Sequence, residues 1–324
     1  MSNGTLGVNF FFVLSGFLIT YLLIAEKDIT NTINIKKFYI RRVLRIWPLF
    51  YFNVLFGFIA FPIIKAFFGE TSIENADFRY YLTFFTNFDI IKNGEADSSM
   101  LNVLWSVSIE EQFYLIWPIL LLVIPMRFYN NFFFATILVA TFLSSFFKLN
   151  GVHTITCSSN LIIGSIFAYA AFKKNKLFFK VKNFQKLTII FIYIITAILI
   201  FSFHYVASLN FIDLNIYKLL LAIFFALIIM EQNYAVNSFY KMSNFTWISK
   251  TGTFTYGLYC LHMVGILAAV KICNKFSLNN SMLKLVFVET PLAFLIAYII
   301  GRLSFKFFET PFLRFKERFA IIKK

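Results

Sequence analysis

Long apolar runs, most of them about 17–24 residues, recur along this chain, and a run of that length lets a helix cross the hydrocarbon of a bilayer. Inside a bilayer each backbone polar group must be satisfied within its own segment, so such runs become helices. Nine spans read as 6–25, 47–68, 104–124, 132–147, 161–172, 187–206, 216–230, 254–270 and 285–307. The fifth and seventh are short. The stretch FRYYLTFFTNFDII at 78–91 is too short to span and reads as an interfacial or re-entrant helix. The expected fold class is all-α, a polytopic transmembrane helical bundle. It forms one integral-membrane domain over 1–324, with no linker, low-complexity segment or internal repeat dividing it.

Composition agrees. The chain is 60% hydrophobic and 14% charged, against about 45–50% and about 25% in soluble domains. A net charge of +15 would suggest nucleic acid in a soluble protein. Here the cations gather between the apolar runs, so the bilayer accounts for them and no nucleic-acid partner is expected. One set of loops holds the basic residues of 27–45, Arg127, the lysines of 173–186, Lys241, Lys250 and the tail from Arg314 to Lys324. The other set holds only Arg79, Lys92, Lys148, Lys271, Lys275 and Lys284. The first set should be cytoplasmic, with the N-terminus outside and the C-terminus inside. No basic residue precedes the first apolar run, so no cleavable signal peptide is expected. Cys157, Cys260 and Cys273 have no paired or metal-type spacing and read as buried thiols; no metal site is expected.

A few polar groups stand out from this background. Arg42 and Arg45, in FYIRRVLRIWPLFY, are three apart and share a helical face. On charge alone they read as a positive-inside anchor below the Trp47 span. Paired guanidinium forks also suit phosphate and pyrophosphate. In LWSVSIEEQFYLIWP, Ser106, Glu110 and Tyr114 are spaced by four and form one polar stripe. A carboxylate within a span is a candidate functional group, which favours Glu110, whereas Glu111 faces elsewhere and reads as a carboxylate at the membrane interface. His262 is the best-placed titratable base, in the middle of an apolar helix, although it could simply bond a neighbouring carbonyl. His153 reads as solvated in an outer loop and His204 as interfacial. Glu309 reads as structural, pairing with Arg302 or Lys306 near a helix end.

Five stretches resemble the membrane-bound acyltransferase family 3, the O-acetylases of bacterial surface polysaccharides and peptidoglycan. They are LGVNFFFVLSGFLIT, FYIRRVLRIWPLFY, LWSVSIEEQFYLIWP, TYGLYCLH and FFETPFLRF, in the family's order. The resemblance implies about ten helices in the bacterial inner membrane. It also implies an acyl coenzyme A donor, acetyl-CoA, used as substrate on the cytoplasmic side, and a sugar or glycan hydroxyl as acceptor. Arg42 and Arg45 match the family's Arg-x-x-Arg pair, thought to handle coenzyme A phosphates. Glu110 and Ser106 match its essential glutamate and neighbouring serine. Two departures follow. Asn9 stands where the family usually has Asp. The family's general-base histidine lies on a span upstream of the GV segment, where this chain has only Met1 to Leu6. The chain is therefore expected to be incomplete at its N-terminus relative to the family, or to use another base such as His262 or Glu110. A transporter or flippase of a lipid-linked or anionic substrate, and an inactive family member, are the competing expectations.

Overall fold

In the computed structural model, which describes residues 4–208 and 214–319, every element among the described residues is helical. Among the described residues nine helices are long and apolar enough to cross a membrane: α1 Gly4–Thr30, α2 Ile35–Phe67, α3 Ser99–Val123, α4 Met126–Phe146, α5 Thr154–Lys173, α6 Lys186–Ser208, α7 Leu214–Tyr234, α8 Thr246–Lys275 and α9 Met282–Glu317. The chain is a multi-pass integral membrane protein. Lys323 and Lys324 of the basic tail lie outside the described residues.

The helices extend beyond their hydropathy limits at one end or both, and in α5 polar residues turned towards protein explain the excess. α5 begins at Thr154 because Thr156, Ser159 and Asn160 are buried among other helices and need no hydrocarbon around them. The basic stretch 27–45 is not a loop. Lys27 lies in the last turn of α1, and α2 starts at Ile35 with Asn34 as its cap, the Asn34 side chain accepting from the Lys37 amide. The stretch 78–91 is not one helix either. It forms two short ones, Phe78–Leu82 and Thr86–Asn93, broken where Phe84 takes a left-handed backbone (φ 57°).

The helices fall into two compact units. Residues 4–33 and 109–242 form the first. There α1 and α5 approach so closely that a Cβ on Gly16 would overlap the Leu161 carbonyl, and one on Gly164 the Val13 carbonyl. Small residues allow such contact where no water drives helices together. Polar side chains then bridge the seam. Thr20 donates to Ser165 (2.7 Å), the Trp117 indole donates to Thr20 (2.8 Å), and the Asn160 amide donates to the Asn9 carbonyl oxygen (3.1 Å). The Lys27 ammonium caps the end of α3, donating to the carbonyls of Leu121, Leu122 and Ile124 at 2.6–3.0 Å, which a helix end otherwise leaves orphaned.

Residues 34–108 and 243–319 form the second unit. Its core joins Leu49, Met100, Cys260 and Leu261. Here α8 and α9 pair as α1 and α5 do: Gly265 lies against the Ala297 backbone and Gly301 against Leu258. All three cysteines are buried and free, as their spacing predicts.

Candidate active site

The cap at Asn34 starts α2 ahead of its basic residues, so Arg42 and Arg45 stand on a helix and one face. Both are half-buried. The Arg42 guanidinium lies over the Phe38 ring, 5.5 Å from its centroid, and Arg41 donates to the Phe319 carbonyl (2.9 Å). Lys316, in the last turn of α9, is within electrostatic reach of Arg45, Arg42 and Arg41. The Tyr256 hydroxyl of α8 donates to the Ile46 carbonyl (2.9 Å), fixing the helix one residue past Arg45. This end of the second unit thus gathers four cations.

Glu309, on the same helix as Lys316, is a buried carboxylate, only 7% exposed. Its Oε1 accepts from Ser304 (3.2 Å) and lies against Gly257, where a Cβ would come within 2.5 Å of it. Arg45 is the cation that acts on it. The expected pairing with Arg302 or Lys306 is corrected: Glu309 ends a π-helical turn, Phe305–Glu309. Such a turn bonds i to i+5, which sets Glu309 over Ser304 instead of on an α-helical face with Lys306. The sequence signal was the Thr310-Pro311 pair directly after it.

Ser106, 5% exposed, lies in the same unit. The Tyr259 hydroxyl lies 3.0 Å from the Val103 carbonyl and shares a 2.6 Å hydrogen bond with the Ser106 hydroxyl, itself 3.4 Å from that carbonyl. His262 stands one turn further along α8, its Nδ1 2.6 Å from the Tyr259 carbonyl. A carbonyl only accepts, so Nδ1 carries the proton, and in the neutral ring Nε2 keeps its lone pair. Tyr259 joins Ser106 to His262, and sequence reading did not single it out, although it lies in the TYGLYCLH stretch three residues before His262.

Glu110 lies in the first unit, twelfth of the 25 residues of α3, roughly 16 Å along the helix from Ser99 at 1.5 Å per residue. It accepts from the Tyr114 hydroxyl (3.0 Å). Tyr114 is in turn hydrogen-bonded to Ser15 of α1. With the Tyr114 proton on Glu110, Ser15 donates to Tyr114, making a Ser15–Tyr114–Glu110 chain. Tyr114 belonged to the expected stripe; Ser15 did not. Glu111 is half-buried like Glu110, so burial does not separate the neighbours. Of the other histidines, His153 is no free loop residue. It caps α5, Nδ1 accepting from the Ile155 amide (3.2 Å), and its partial burial lowers its pKa. His204 is exposed on α6. The structure therefore gathers Arg42, Arg45, Ser106 and His262 in one unit and gives Glu110 its partners in the other.

Comparison with known proteins follows the same lines. Over 129 residues, 37% of this chain and 20% of its relative, the sequence is 36% identical to the peptidoglycan O-acetyltransferase of Listeria monocytogenes. It is 28% identical to a provisionally named O-acetyltransferase of Staphylococcus aureus over 96% of this chain and 53% of that protein. A provisionally named peptidoglycan O-acetyltransferase of Bacillus subtilis is 32% identical over 38% of this chain and 20% of its own. The chain spans about half the length of the Staphylococcus relative, which aligns with nearly all of this chain. No solved structure matches it. The family model described as an acyltransferase domain matches residues 1–303, and the chain belongs to that family, the membrane-bound acyltransferase family 3.

Proposed function

We propose that this protein transfers an acyl group, acetyl, from acyl coenzyme A to a hydroxyl of a cell-surface glycan. Family membership and the relatives' names, two of which specify peptidoglycan, support the reaction class. The observation that carries the donor is the cluster of Arg41, Arg42, Arg45 and Lys316, of which Arg45 acts on the buried carboxylate Glu309. A site with surplus cations and two guanidinium forks on one face suits the phosphates of a coenzyme A thioester. Coenzyme A enters and leaves as a substrate.

In this reading His262 Nε2 takes the proton of the acceptor hydroxyl as its oxygen attacks the thioester carbonyl. The carbon–sulfur bond breaks, the ester stays on the sugar, and coenzyme A leaves as the thiol after taking up a proton. Positioned base catalysis contributes about 10²–10⁴-fold. The carbonyl of Tyr259 holds the tautomer that this step needs. Glu110, held by Tyr114, is the second essential group.

The test is transfer from radiolabelled acetyl-CoA to peptidoglycan fragments by the full chain in proteoliposomes. Alkali-labile label on the sugar is expected. Folded protein that leaves the glycan unlabelled but moves it across the bilayer would replace this reading with that of a transporter.

A further inference from the structure

A second polar centre lies in the second unit between α2 and α3, on residues 77–93. Its floor is built inward. The Phe84 ring is buried against Phe50, 4.3 Å between centroids, and turns the chain between the two short helices. Asp89 is fully buried and accepts from the Asp77 amide (3.2 Å) and the Asn93 side chain (2.7 Å). Asp77, so fixed, caps Phe78–Leu82 through the Arg79 amide (3.0 Å) and clamps the Arg79 guanidinium with both oxygens, 3.0 Å to Nε and 2.7 Å to Nη2. Arg79 holds the Asp77 carboxyl down at about 2, so the clamp stays ionised at all physiological pH.

Above this floor opens a shallow, solvent-open concavity of about 450 Å³ lined by Asp77, Arg79, Tyr80, Thr83, Phe85 and Lys92. Phe85 is 45% exposed. The Lys92 ammonium stands over the Tyr80 ring, 5.9 Å from its centroid. Arg79 and Asp77 pair with each other, and Lys92 is the remaining cation of the lining, the Asp89 carboxyl being fully buried. Loop charge assigns this segment to the face opposite the basic loops, the side on which a surface glycan lies.

We infer that this concavity is an acceptor subsite that binds one sugar carrying a single anionic group, with the apolar face of the sugar on the aromatic rings and its anion on Lys92. The Asp77–Arg79 pair offers both acceptors and donors, which sugar hydroxyls can use together. A phospholipid phosphate, the other source of an anion here, offers only acceptors and leaves the Asp77 oxygens without a donor. The inference rests on the acyl-transfer reading above.

Its test compares Lys92→Gln and Tyr80→Ala with the unaltered full chain in proteoliposomes. The acceptor is a peptidoglycan-derived disaccharide with its carboxylate free or amidated. Lys92→Gln should raise KM for the free carboxylate about tenfold and spare the amidated form. Tyr80→Ala should raise KM for both. Neither should move kcat or the KM for acetyl-CoA, which also shows that the variants are folded. Unchanged acceptor KM in both variants overturns the subsite, as does an effect that disappears in vesicles of neutral lipid. Should the unaltered chain transfer no acyl group, the acyl-transfer reading fails and saturable binding of the labelled disaccharide decides the subsite: binding lost in Lys92→Gln upholds it, and binding that is absent or unaffected sinks it.

Discussion

At the scale of residues, the two guanidinium groups of α2 and the carboxylate of α3 ask for different experiments. Lysine keeps a charge but loses the planar fork, so a mere membrane anchor at Arg42 and Arg45 would tolerate it and a phosphate clamp would not. Arg42→Lys and Arg45→Lys are each expected to raise the KM for acetyl-CoA about tenfold, ~1.4 kcal/mol, with membrane insertion intact. Unchanged donor KM in both variants would return the pair to anchoring. Glu110→Gln removes charge at nearly constant volume and keeps an oxygen for Tyr114. It should cost transfer about 10²-fold or more while the protein still inserts and purifies as before; near-normal turnover would demote Glu110 to packing. These three residues were legible because each stands at helical spacing from a partner or an anomaly in its own segment. Ser15, Tyr259 and Glu309 were not legible as site neighbours, since what selects them is contact between helices distant in sequence.

The elements show how proline shapes such a chain. Three helical segments widen into π turns, Phe56–Ala60, Leu285–Glu289 and Phe305–Glu309. Each ends two residues before a proline, at Pro62, Pro291 and Pro311. Proline has no N–H and its ring presses on the carbonyl four residues back; one extra residue in the turn relieves both. A threonine assists twice: Thr290 donates its hydroxyl to the Leu285 carbonyl (3.0 Å) and Thr310 to that of Phe305 (2.6 Å). The triplet Glu-Thr-Pro occurs at 289–291 and again at 309–311, so α9 carries the same device at each end. Hydropathy registers none of this, because a π turn and an α turn can be equally apolar. Pro311→Ala removes a residue that costs ~3 kcal/mol in a helix interior, so thermal stability should hold or rise. Without the π turn Glu309 leaves Ser304 and the Arg45 side, and transfer should fall about tenfold. Pro291→Ala, next to a Glu289 whose carboxylate accepts from Asn279, should leave transfer alone. Equal losses in both variants would show that α9 straightness, not the placement of Glu309, limits activity.

For the whole molecule the open question is which ends of the helices share a side of the membrane. Most of the spans were legible from apolar length, because the bilayer imposes that length; the fifth and seventh read short, since polar residues complete their helices. Their order of crossing is implied by loop charge, and contacts inside each unit group the same ends. In the second unit Arg41 reaches Phe319 and Arg45 acts on Glu309, while Lys65 pairs with Asp97 and Lys271 with Glu70, both at 2.8 Å. The first group belongs to the basic side and the second to the opposite one. In the first unit Lys27 reaches Ile124, the Tyr169 hydroxyl donates to the Met126 carbonyl, and the Val236 amide donates to the Lys182 carbonyl; all of these ends lie on the basic side. Single cysteines at Lys37, Lys174 and Glu95, all exposed, can therefore be placed in a background freed of Cys157, Cys260 and Cys273. An impermeant thiol reagent applied to intact cells should label Glu95→Cys and leave Lys37→Cys and Lys174→Cys untouched until the membrane is opened. Labelling of either lysine position from outside would invert the orientation. It would carry the Arg42–Arg45 cluster to the face where acyl coenzyme A is not made, and with it remove the physical case for a cytoplasmic donor.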